Sequence, residues 1–306
     1  IGDGNGLAQL SAALFSHKNQ LNVSKIQNIG LVKTQAADDF TTDSAAGATA
    51  YATGTKTNNR ALGVDPSGEA LKNLPDSLHE KGFKSGIITT DQLTGATPAA
   101  FYAHHSERDD VEDIAGFLAK SSLDLFIGGG EKAFKSEKEN LIQAGFSLVD
   151  NLGALAGEKA GFFAAEGSLP YKLQGRGEYL LQSTKAGLSF LAKKENPFFL
   201  MIEAAQIDSG GHGNSISTIV SEMLDFDQAI GEVLHWADQH PGTLVLITAD
   251  HETGGVSIPQ GDIENQTVEL GFYSEDHTGI LVPIFAYGVH SDKFRGVIDN
   301  TAIFHK

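Results

Sequence analysis

The sequence predicts an α/β fold, a three-layer α/β/α sandwich on a mostly parallel central sheet. Two observations carry this. Apolar runs at 85–90, 123–127, 197–203, 243–248 and 279–285 are continuous rather than alternating, the pattern of strands covered on both faces. Segments with helical spacing lie between most of them, and that alternation builds parallel sheets. A chain of 306 residues buries a sizeable core. No internal repeat or low-complexity linker divides it, so a single domain over 1–306 is expected.

Taken in order, the chain opens on Ile1-Gly2-Asp3-Gly4-Asn5-Gly6, which reads as the last residue of a strand running into a glycine loop. It closes at 303–306 on what reads as part of a helix, so a chain truncated at both ends is expected. Residues 7–15 read as a helix and 29–34 as a strand. Residues 43–54, DSAAGATAYATG, read as the first turns of a helix headed by Ser44. A serine there is either a cap for orphan N–H groups or a hydroxyl left open to a ligand, since helix N-termini attract anions. Residues 55–68 are polar and glycine-bearing, hence loop. Leu71, Leu74 and Leu78 outline a helix ending near Gly82, and further helices are expected at 111–120, 138–144, 177–193 and 215–239. Residues 146–171 show no clear pattern.

Composition narrows the function. There is no cysteine, so disulfides and thiolate metal sites are excluded, and any metal must be held by carboxylate, imidazole or hydroxyl. A net charge of −17 argues against a nucleic-acid partner, and no apolar run reaches membrane-spanning length. Open α/β sheets bind ligands beyond the carboxyl ends of their strands. There this chain places Asp3, then Glu203 with Asp208 and His212, then Asp250 and His251, while His277 lies just ahead of the last strand. One such residue is ordinary turn chemistry. Several mixed Asp, Glu and His groups with glycines beside them suit metals, carboxylate with imidazole favouring zinc and an all-oxygen set magnesium.

Asp43-Ser44-Ala45-Ala46, Gly2-Asp3-Gly4, Ala96-Thr97-Pro98-Ala99-Ala100, Glu203, Asp208 through His212, Asp250-His251-Glu252-Thr253-Gly254 and His277 together resemble the alkaline phosphatases, in the family's order and across nearly the whole chain. The form resembled is the compact bacterial one, with a short crown-like insertion between His251 and His277. The resemblance implies phosphate-monoester hydrolysis through a phosphoserine on Ser44. It implies one zinc on Asp208, His212 and His277, and a second on Asp3, Asp250 and His251 with Ser44 in its open position. One magnesium would sit on Asp3, Thr97 and Glu203, and Arg108 would clamp phosphate. A homodimer and a periplasmic or secreted setting are implied with them. Gly95 and Ser209 depart from residues that relatives often carry, Asp or His beside the magnesium and a bulkier side chain near the phosphate. Gly95 therefore predicts a weakly held magnesium. Open alternatives are a related metal-dependent phosphodiesterase or phosphomutase, or an inactive metal- or phosphate-binding fragment. With 35 glycines, 8 prolines and only four arginines, the composition also predicts a loosely restrained, cold-adapted protein.

Overall fold

The computed structural model describes residues 1–306. Strands run in chain order as β1 (Asn28–Lys33), β2 (Lys84–Gln92), β3 (Leu125–Gly129), β4 (Phe146–Val149), β5 (Lys159–Phe163), β6 (Phe198–Glu203) and β7 (Leu244–Thr248). They continue as β8 (Glu252–Thr253), β9 (Ser257–Asp262), β10 (Thr267–Gly271), β11 (His277–Thr278), β12 (Val282–Gly288) and β13 (Gly296–Asp299). Helices are α1 (Leu7–Phe15), α2 (Ser44–Thr53), α3 (Leu74–His79), α4 (Ala96–Ala99), α5 (Val111–Leu118), α6 (Lys138–Gln143), α7 (Tyr179–Ala192), α8 (Gln206–His212), α9 (Ile216–Gln239) and α10 (Thr301–His305).

An all-parallel sheet has the order β4-β5-β3-β2-β6, and a second has the order β13-β1-β12-β7. In the second, β1 and β13 are parallel, while β12 runs against both β1 and β7. Residues 1–3 tie the two sheets edge to edge. Gly2 N–H donates to Thr248 O, Asp3 N–H donates to Ala204 O and Ala204 N–H donates to Ile1 O. This places Asp3 at the carboxyl ends of β6 and β7, the position where α/β sheets bind ligands.

The three layers follow from which way successive strand residues point. Ile87, Phe126, Ile284 and Ala286 face one core with α2, α4 and α5. Their neighbours Ile88, Leu125, Ile127 and Phe285 face the other, with α1, α7 and α9. Both faces are thus apolar, which is why these strands read as continuous runs. The insertion expected between His251 and His277 is the exposed hairpin β9–β10.

The structure differs from the sequence reading at several boundaries. The helix expected from Leu71 starts at Leu74, because the side chain of Asn73 accepts from Asp76 N–H and caps it there. The strand expected at 279–285 is β12, displaced toward the C-terminus. The patternless stretch 146–171 contains β4 and β5. Residues 206–212, to which the sequence reading gave no element, form α8 despite paired glycines. Those glycines are required by packing: a Cβ at Gly210 would stand 2.9 Å from Ile219 N, and one at Gly211 would stand 2.8 Å from Thr253 O.

Candidate active site

Asp43, not Ser44, caps α2. Its backbone is extended and its carboxylate accepts from Ala46 N–H at 2.9 Å. Ser44 therefore occupies the first helical position with its hydroxyl free of capping duty. Every residue of α2 is buried, and a Cβ on Gly47 would lie 3.1 Å from Asp250 O, so small residues let the helix press against the turn after β7. Tyr51 OH donates to Ala249 O at 2.6 Å and pins the same turn. The result sets Ser44 Oγ 3.2 Å from His251 Nε2.

Around this hydroxyl, ligand-type side chains form two groups whose donor atoms converge: Asp3, Asp250 and His251, and Asp208, His212 and His277. In the first, His251 Nε2 lies 3.5 Å from Asp3 Oδ1 and 3.3 Å from Asp250 Oδ2. Those two carboxylate oxygens are buried and have no hydrogen-bond partner. Buried unpaired carboxylates are costly, so this arrangement fits a cation between them. Asp250 Oδ1 is held by Gly4 N–H at 3.2 Å and His251 N–H at 3.0 Å.

In the second group, α8 places Asp208 and His212 one turn apart on one face, and β11 supplies His277. His277 Nδ1 lies 2.9 Å from Thr42 O, and His212 Nδ1 faces Glu275 O. A carbonyl can only accept, so each Nδ1 carries the proton and each Nε2 is turned toward the shared point, as metal-binding imidazoles are. The two Nε2 atoms stand 3.2 Å apart. Without a cation, the hydrogen bond to Asp208 pushes His212 up to about 9, so a proton stands in for positive charge.

A third set lies on the far side of Asp3. Thr97 Oγ1 is 3.4 Å from Asp3 Oδ2, and Glu203 accepts from the Thr89 hydroxyl. Burial, then the charge of Asp91, pushes Glu203 up to about 8. Burial, with Asp250, Asp208 and Glu203 as neighbours, raises Asp3 well above the carboxylate range. So much negative charge in one buried place fits bound cations better than it fits bare carboxylates.

Arg108 reaches the same place from the loop before α5. Its Nη1 donates to Asp43 Oδ2 at 3.0 Å, which anchors the guanidinium while leaving it partly exposed. Ser44, Arg108, Asp3, Thr97, Glu203, Asp208 and Ser209 all line one cleft of about 570 Å³. Its outer wall, Ser168 to Gln174, is held by a buried ion-pair network beneath it. There Arg176 Nη2 meets Asp225 Oδ2 at 2.9 Å, and Lys172 meets the other oxygen at 2.6 Å.

Every residue singled out in the sequence thus comes to one end of the sheet. Glu252, quoted in the motif but given no ligand role, is scaffold: it accepts from Gln9 at 2.8 Å and from Val256 N–H at 3.0 Å. Two contributors were missed. Asp43 is a cap and an arginine anchor at once. Asp91 lines the cleft at the end of β2, and the signal that could have found it is its place directly after an apolar strand.

A serine hydroxyl with no capping duty, an anchored arginine and two convergent carboxylate–histidine groups gathered at one end of the sheet suit hydrolysis of an anionic substrate. The family model for alkaline phosphatase matches residues 1–263 and 259–306. Alkaline phosphatase 3 of Bacillus subtilis is 31% identical, over 99% of this chain and 86% of that protein. Alkaline phosphatase of Escherichia coli is 28% identical, over 100% and 83%. The solved structure of alkaline phosphatase from the Antarctic bacterium TAB5 superposes with a TM-score of 0.94 at 37% identity, covering 100% of this chain and 94% of that one. The chain belongs to the alkaline phosphatase family and is a phosphatase acting on phosphate monoesters.

Proposed function

We propose that hydrolysis proceeds through a phosphoserine on Ser44, with zinc on Asp208, His212 and His277, zinc on Asp3, Asp250 and His251, and magnesium on Asp3, Thr97 and Glu203. The observation that carries this is the free Ser44 hydroxyl 3.2 Å from His251 Nε2, between two convergent ligand groups. A relative supports the magnesium assignment: a His-to-Asp variant of the TAB5 enzyme has magnesium bound in its M3 site. Bound zinc would supply a lowered hydroxyl pKa and charge neutralisation at phosphorus.

The chain's own residues set the geometry. Arg108 presents its planar fork to two phosphate oxygens, held in place by Asp43. Ser44 Oγ forms the bond to phosphorus as the bond to the leaving oxygen breaks. Water then attacks phosphorus and releases Ser44 with inorganic phosphate. Most of the recognition falls on the phosphoryl group, so broad monoester specificity is expected. Comparing turnover of an aryl phosphate and the matching diester tests this against the phosphodiesterase alternative. Much faster monoester turnover is expected, and diester preference would refute it. A homodimer and a periplasmic or secreted setting belong to the same proposal.

Arg108→Ala should raise the inhibition constant of inorganic phosphate by about 100-fold or more, since two charge-assisted hydrogen bonds worth about 1.5–3 kcal/mol each are lost. Zinc content should stay at the wild-type value. An unchanged constant would remove Arg108 from the phosphate site.

Cold adaptation belongs to the proposal as well, supported by composition and by a structurally similar cold-active alkaline phosphatase from a psychrophilic Shewanella, 29% identical with a TM-score of 0.94. With 35 glycines against 8 prolines and a net charge of −17, unfolded-chain entropy and self-repulsion are both high. Heat inactivation at moderate temperature, partly relieved by salt, is expected in timed-incubation assays. Survival of prolonged heating well above ~65 °C would contradict it.

A further inference from the structure

Position 95 carries no side chain, yet the space beside it is filled. A Cβ on Gly95 would lie 2.5 Å from Asp91 Oδ2 and 3.3 Å from Asp91 Cγ, so the Asp91 carboxylate packs on the bare Cα. Asp91 stands in the irregular last part of β2, where the register against β3 shifts between Ile88 and Gln92. Irregularities of this kind re-aim side chains beside active sites. The Asp91 N–H donates to Thr89 Oγ1 at 2.8 Å, and the Thr89 hydroxyl donates to Glu203, so one threonine fixes both acids. Asp91 lines the cleft together with Asp3, Thr97 and Glu203, and Asp3 turns its Oδ2 to this side, 3.4 Å from Thr97 Oγ1.

We infer that Asp91 is the third carboxylate of the magnesium site, reaching from β2 into the place that a side chain at position 95 would occupy and holding the ion through its bound waters. This rests on the magnesium site proposed above. Magnesium keeps several waters and needs ordered acceptors for them, which Asp91 supplies without entering the set formed by Asp3, Thr97 and Glu203. The expectation that Gly95 leaves magnesium weakly held is thereby replaced. A side chain at 95 would displace the Asp91 carboxylate and meet Gln92 O at 2.9 Å.

The test is magnesium titration of the full chain by calorimetry, with zinc content measured in the same samples. Asp91→Asn should raise the magnesium dissociation constant roughly 10- to 100-fold with zinc unchanged, and Asp91→Ala should do at least as much. With manganese as the probe, Asp91→Asn should also change the electron paramagnetic resonance spectrum of the bound ion. Wild-type magnesium affinity in both variants would overturn the inference, as would a wild-type protein that takes up no magnesium. The phosphoserine proposal fails separately, if wild-type protein saturated with zinc and magnesium takes no phosphate onto Ser44.

Discussion

Ser44→Ala should lower kcat on the order of 10⁴-fold while zinc content stays at the wild-type value. Removing the nucleophile of a covalent mechanism costs losses of this order or more, and the remaining groups sustain a residual rate. The substitution is structurally mild. Asp43 caps α2, so Ser44 has no capping bond to lose, and alanine is the better helix former. The three protein groups beside the hydroxyl, Asp3, Asp250 and His251, remain in place. Steady-state kinetics with metal analysis on the same preparation checks both halves. Loss of zinc with activity would make Ser44 a structural ligand instead.

Stripping the metals with a chelator should abolish turnover and lower Tm on the order of 10 °C at neutral pH. Ligands at about 1,000 times their Kd add about 4 kcal/mol, and each kcal/mol moves Tm by roughly 2–4 °C in large domains. The loss should grow with pH. In the metal-free protein burial raises Asp3, and burial with the charge of Asp91 raises Glu203 to about 8. A carboxyl group whose folded pKa is raised contributes stability in its protonated form. That contribution is full below its ordinary value of 4.5 and disappears as pH rises through about 8. The stripped protein should therefore lose stability across this window, and the metal-loaded protein should be nearly flat. Calorimetric scans of both forms at about pH 6 and about pH 9 check the sign. A stripped protein that gains stability with rising pH would contradict it.

Strands covered on both faces were legible in the sequence because they leave continuous apolar runs, as at 85–90 and 243–248. The edge strands β4 and β13 were not, since four residues with half-exposed side chains carry too little pattern. The helix α8 was hidden by Gly210 and Gly211, whose reason lies in Ile219 and Thr253, remote from them in sequence. The ligand residues stood out as a mix of Asp, Glu and His after strands. Arg108 gave no local signal of its role, which depends on Asp43 65 positions away. Asp91 carried the same signal, an acid directly after the apolar run 85–90, but its packing against the bare Gly95 is visible only in the fold.

The central claim is a covalent phosphoserine at Ser44. It is tested most directly by incubating the metal-loaded protein with labelled inorganic phosphate at low pH, quenching in acid and locating the label by peptide mass spectrometry. Stoichiometric label on the peptide containing Ser44, absent from Ser44→Ala, is the expected result. Label on another residue, or none in a protein that hydrolyses monoesters, would contradict it.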